Sequence, residues 1–194
     1  MDQLPIEIKS VILNLLNLKS QINFIFASKE TRFLIKHWRI KRQIYVCNKI
    51  KKLSYFDCFE NILIRELLHY YPKNLKGLTF VDDFNQPIEN NIPLSVKYLS
   101  FNEYFNQPIE GCIPSSVKQL EFGKHFNQSI KGCIPSSVIH LEFGEFFNQS
   151  IKDCIPSSVK YLEFHNKFDK FKMKHVPSNV QTLEFAKTQE FFKF

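Results

Sequence analysis

Apolar and polar positions alternate over a triplet, Leu99-Ser100-Phe101. The triplet returns at Leu120-Glu121-Phe122, Leu141-Glu142-Phe143, Leu162-Glu163-Phe164 and Leu183-Glu184-Phe185. Alternation with period two puts both apolar side chains on one face of a short strand, and the residue between them on the other. A proline precedes each triplet, and Pro93, Pro114, Pro135, Pro156 and Pro177 are each 21 residues apart. After the triplet comes a second phrase, Phe105-Asn106-Gln107-Pro108-Ile109, which returns in variant form from Phe126 and from Phe147. A half copy, Pro72-x-x-Leu75-x-x-Leu78-x-Phe80, opens the series. A fixed period in the twenties predicts a solenoid, in which each coil buries its apolar face only against its neighbours. Strands one period apart then lie parallel and in register, about 4.8 Å from each other. Val96, Leu99, Phe101, Phe105 and Ile109 should fill one layer. Pro114 and its counterparts cannot donate to a ladder and suit the convex return.

The first 45 residues have a different period. Ile8, Val11, Ile12, Leu15 and Leu16 recur at helical spacing, as do Ile22, Ile25, Phe26 and Lys29, and then Arg32, Leu34, Ile35 and Trp38. Pro5 stands where a first helical turn tolerates it. Three short helices bury little surface, so this module needs a partner or the solenoid to cover it. Residues 46–71 read as a basic linker followed by a helix over Phe56 to Tyr71, which caps the open end of the stack. Residues 72–194 are the solenoid, closed at its far end by Phe191, Phe192 and Phe194. The fold class expected is α+β: a small helical module followed by a parallel β solenoid.

Charge adds one feature. The chain of 194 residues carries a formal net charge of +7. Lys29 to Lys52 holds nine basic residues against Glu30 alone. That run is open to nucleic acid or an acidic partner. It carries no recognisable nucleic-acid motif, so a solvated helix and linker is the preferred reading. Five cysteines without a secretory leader point to free thiols in a reducing, cytoplasmic setting. No stretch reaches the ~20 apolar residues of a membrane helix. No nucleophile motif or Gly-rich phosphate loop stands out, so neither an enzyme nor a cofactor is expected.

A solenoid turns sequence columns into surface stripes. Asn85, Asn106, Asn127 and Asn148 should form a ladder that satisfies turn backbone groups. Cys112, Cys133 and Cys154 form a second column, read as small buried residues in preference to zinc ligands. The exposed strand face holds Glu121, Glu142, Glu163 and Glu184 in one column. Beside it stand Tyr98, His140 and Tyr161, and on the other side His165. Glu121, Glu142 and Glu163 with Tyr98, Tyr161, His140 and His165 form a candidate face for a basic segment of a target protein. A solvated row of Glu left by repeat duplication is the alternative.

Two resemblances attach to these residues. Leu4-Pro5-x-Glu7-Ile8, then Ile12-Leu13-x-x-Leu16, then Ala27-Ser28-Lys29 and Phe33-x-Ile35, resemble an F-box. The Leu-x-x-Leu-x-Leu pattern with its Asn-bearing turn resembles leucine-rich repeats. The phrase Phe-Asn-Gln-Pro-Ile is similar to the FNIP repeat, which in social amoebae and amoeba-infecting giant viruses occurs joined to an F-box. The F-box resemblance implies that Leu4, Pro5, Ile8, Ile12, Leu13 and Leu16 contact a Skp-type adaptor. It further implies a substrate receptor of a cullin-based ubiquitin ligase, with the solenoid holding the target. A plain protein-binding solenoid with a helical cap is the second reading.

Overall fold

The computed structural model describes residues 17, 20, 21, 23, 43–46, 54, 56–81, 83–165 and 168–186. The expected helices of the first 45 residues lie almost wholly outside the described residues, and so does the aromatic cap from Phe191 onward. What is described is one parallel sheet. Its strands are β1 (Ile44–Tyr45), β2 (Asn61–Ile64), β3 (Gly77–Phe80), β4 (Tyr98–Phe101), β5 (Gln119–Glu121), β6 (His140–Glu142), β7 (Tyr161–His165) and β8 (Thr182–Ala186). They lie side by side in chain order, each pairing in parallel with the next. The register follows the repeat. Leu78, Leu99, Leu120, Leu141, Leu162 and Leu183 are successive partners across β3 to β8.

The layer predicted from sequence is the layer observed. Val96, Leu99, Phe101, Phe105 and Ile109 are all buried, and so are their copies through Val159, Leu162 and Phe164. Each buried apolar side chain contributes roughly 1.5–3 kcal/mol. The Phe residues form two columns. Phe80, Phe101, Phe122, Phe143 and Phe164 stack with centroids 5.2, 5.7, 5.5 and 5.3 Å apart. Phe84, Phe105, Phe126, Phe147 and Phe168 stack beside them at 6.1 to 6.2 Å. Within a layer the columns touch, as Phe122 and Phe126 do at 4.0 Å.

The return path uses the proline for a turn. Val117 N donates to Pro114 O at 3.1 Å, and the same bond at the same length closes turns from Pro72, Pro93, Pro135, Pro156 and Pro177. Three residues before each Pro from Pro93 to Pro156 lies a backbone position with positive φ. Asn90, Gly111, Gly132 and Asp153 occupy it with φ of 53, 67, 72 and 57°. These are the residue types that tolerate the left-handed region.

One expectation is corrected. Residues 56–71 are not a capping helix. Phe56–Cys58 is a 3-10 turn and Asn61–Ile64 is strand β2. Helical and strand periods both fit this short apolar run. The open edge of β3 decides between them, since Ile62 and Ile64 bury on the inner face opposite Leu78 and Phe80. β-Branched Ile favours the pleated surface as well. The sheet therefore begins before the first FNIP-like phrase, in coils of irregular length. Buried Glu60 serves this edge. Its carboxylate pairs with Lys76 Nζ at 2.8 Å, and its carbonyl accepts from Lys76 N and Gly77 N.

Two glycine columns separate conformation from space. A Cβ on Gly132 would meet nothing within 4 Å, so only its left-handed backbone requires glycine. A Cβ on Gly144 would fall on the Gly123 carbonyl of the neighbouring coil. Gly132→Ala should cost about 1–2 kcal/mol from backbone strain alone. Gly144→Ala should cost more, because a backbone atom must move. Urea unfolding of both variants checks the order, and equal losses would refute the distinction.

Candidate functional site

The outward face of the sheet is built by the residues that alternate with Leu and Phe. Glu121, Glu142, Glu163 and Glu184 are direct in-register partners on β5 to β8. Gln119, His140, Tyr161 and Thr182 form the adjoining column. The His140 and Tyr161 rings stack at 4.2 Å with planes 6° apart. These two columns line an open groove of about 260 Å³.

Stacked carboxylates repel, and the groove is half-closed to water. Burial pushes the Glu142 carboxyl from the ordinary 4.5 up to about 7, with Glu121 and then Glu163 adding repulsion. Burial also raises Glu163, with Glu184 and Glu121 adding to it. Among the described residues no lysine or arginine is ion-paired with these four carboxylates. Lys97, Lys118 and Lys160, beside the strands in sequence, make no ion pair with the column.

The face predicted from sequence is brought together in part. Glu121, His140, Glu142, Tyr161 and Glu163 line the one groove. Tyr98 lines an adjoining groove with Gln43, Thr79 and Ser100. There Gln43 Nε2 donates to Thr79 Oγ1 at 3.0 Å. His165 ends β7 outside both grooves, and its Nδ1 is buried without a hydrogen-bond partner. The adaptor-contact residues Leu4, Pro5, Ile8, Ile12, Leu13 and Leu16 lie outside the described residues.

Sequence reasoning missed a second aromatic stripe. Tyr104 stacks on His125 at 5.3 Å, and His125 meets Phe146 at 5.0 Å. Lys124 lies over Phe146 and pairs with Glu145 at 3.6 Å. The available signal was the residue before each repeat Phe, which is aromatic in three successive copies.

The other two columns are structural. Asn106 N donates to Asn85 Oδ1, Asn127 N to Asn106 Oδ1 and Asn148 N to Asn127 Oδ1, each at 2.9 Å. Gln107, Gln128 and Gln149 donate to the same Asn carbonyl and side-chain oxygens. Where the last coil lacks Asn, Lys172 Nζ donates to Asn148 Oδ1 at 2.7 Å and to the Asn148 carbonyl. Cys112, Cys133 and Cys154 are buried free thiols that donate to the carbonyls of Glu110, Lys131 and Lys152. Burial pushes all three above the usual thiol range, which keeps them protonated and poor ligands.

These features define a parallel β solenoid of leucine-rich-repeat type with an open, acidic strand face. Residues 71–104, 105–146 and 147–188 match the FNIP repeat, and the chain belongs to the FNIP repeat family. Residues 1–43 match the F-box domain. Among solved structures, the chain is similar to CroV588 of a giant virus, described as a novel circular LRR protein structure. Identity is 33% with a TM-score of 0.56, over 68% of this chain and 22% of that one. The chain thus spans about a fifth of the length of that relative. A search of curated proteins finds no match. No helix among the described residues is long and apolar enough to cross a membrane.

Two measurements test this account. Asn127→Ala removes the side-chain acceptor shared by Asn148 N and Gln149 Nε2 and should cost about 0.5–1.5 kcal/mol, the net worth of a hydrogen bond that water can replace. For Glu142, the folded carboxyl holds a proton that the unfolded chain loses near 4.5. Its contribution is present below that pH and is lost as pH rises through about 7. Glu142→Gln should therefore match wild type at about pH 4 and exceed it at about pH 8. The gain should be about 1 kcal/mol, allowing for solvent screening in a half-open groove. A gain at acid pH instead would show the sign to be wrong.

Proposed function

We propose that this chain is the substrate receptor of a Skp–cullin–F-box type ubiquitin ligase. The observation that carries the reading is the joining of an F-box domain at residues 1–43 to a solenoid whose outward sheet face is open. The F-box supplies the dock. Leu4, Pro5, Ile8, Ile12, Leu13 and Leu16 form its apolar contact with a Skp-type adaptor, as apolar anchors do at interfaces. The solenoid holds the target on its strand face. The transfer chemistry belongs to other subunits, and this chain contributes proximity and orientation. It works without a cofactor. The role places it in the cytoplasm, where its buried free thiols remain reduced.

Coarser than this is the role of a protein-interaction adaptor, which the F-box and the repeat solenoid support together. The full chain, wild type and Leu4→Ala/Pro5→Ala, should be co-purified with a Skp-type adaptor. Capture should fall by about tenfold or more in the variant, the loss expected of interface anchors, with unchanged thermal unfolding of the solenoid. A folded wild-type chain that captures no adaptor would leave a protein-binding solenoid with a helical cap and no link to ubiquitin.

A further inference from the structure

We propose that the groove along Glu121, Glu142, Glu163 and Glu184 takes a basic polyproline-II segment of the target, with Lys or Arg at every third position and proline between. The inference rests on the solenoid being the target-binding part and names what it binds. Three observations support it.

The first is charge. Four in-register carboxylates face one open groove and lack an ion-paired cation among the described residues. A row of repelling carboxylates gains from each cation laid along it. The second is the aromatic rail. The stacked His140 and Tyr161 rings flank the row, and Tyr161 is 43% exposed. Exposed aromatic surface beside an acidic row is what docks proline-rich segments, whose conformation is preformed and loses little entropy.

The third is the period. Neighbouring coils repeat at about 4.8 Å, so two coils span about 9.6 Å. A polyproline-II chain rises about 3.1 Å per residue with three residues per turn, so i and i+3 point the same way about 9.3 Å apart. Cations at i and i+3 therefore meet Glu121 and Glu163, and a register one coil on meets Glu142 and Glu184. A β-extended peptide repeats at about 6.7 Å on one face, which falls between one coil and two.

Proton linkage follows from the same groups. Glu142 faces Glu121 on β5 and Glu163 and Tyr161 on β7, with His140 on its own strand and Glu184 a coil further on. A cation bound along the row favours the ionised carboxylates, so binding releases protons. Affinity should then rise between about pH 6 and 8, the range around the raised Glu142 value. Glu142→Gln should flatten that rise.

The test uses the full chain and a fluorescein-labelled peptide of four Lys-Pro-Pro units, read by fluorescence anisotropy. The control has the same composition with its four lysines clustered at one end. The periodic peptide should bind about tenfold more tightly than the clustered one. Glu121→Gln/Glu142→Gln/Glu163→Gln, which leaves no two carboxylates two coils apart, should lose about tenfold in affinity with unchanged thermal unfolding, and Lys131→Ala, off the strand face, should change nothing. Equal affinity for the two peptides, or undiminished binding by the folded triple variant, would overturn the proposal. Adaptor capture is measured separately, so a failed F-box dock leaves this result standing and a failed peptide leaves the dock standing.

Discussion

Two interlocked columns of phenylalanine carry this solenoid. A ring is about 3.5 Å thick and the coil step about 4.8 Å, so rings in register cannot stack face to face without a gap. They slide instead. Offsets bring the centroids to 5.2–5.7 Å in the strand column and about 6.1 Å in its neighbour, while the two columns touch at 4.0–4.2 Å within each layer. Offset stacking is the geometry the aromatic quadrupole favours. The arrangement needs the same residue at the same step in every coil, and this links the repeat to its stability. At β8 the column fails, since Phe185 is tilted by 31° against Phe164 and is 36% exposed.

The same register has opposite consequences for polar groups on different faces. In the turns it is favourable, because an Asn side chain can accept from the backbone of the next Asn and pass the arrangement on. Lys172 ends that series with a donor in place of the missing amide. On the strand face it is unfavourable. Repetition that stacks Phe on Phe inside also stacks Glu on Glu outside, and at Glu142 repulsion by Glu121 and Glu163 adds to the larger effect of burial. A surface held in this state lowers its energy when a cationic partner arrives. The repetition that builds the core thus also builds the acidic face.

In the proposed receptor role, the F-box and the groove have separate tasks. One part is the F-box at residues 1–43, the proposed dock. The other is a strand face whose columns differ from coil to coil, with Ser100, Glu121 and Glu142 at equivalent positions. Selectivity in a repeat scaffold resides in such differences, because the coils are otherwise alike.

The sequence by itself determined the solenoid. Its period fixed the parallel register, the layer of Val96, Leu99, Phe101, Phe105 and Ile109, the Asn ladder and the row of glutamates, because a 21-residue step maps directly onto neighbouring strands. It also placed five residues of the candidate groove, since strand alternation decides which side chains face out. Tertiary structure decided what lacked a period. Residues 61–64 became a strand because the edge of β3 needed a partner, a long-range demand that local spacing does not encode. His165 left the groove and Tyr98 joined another, because grooves form across strands and not along columns. The charge state of Glu142 likewise depended on burial and on neighbours 21 residues away in the chain that are adjacent only once it has folded.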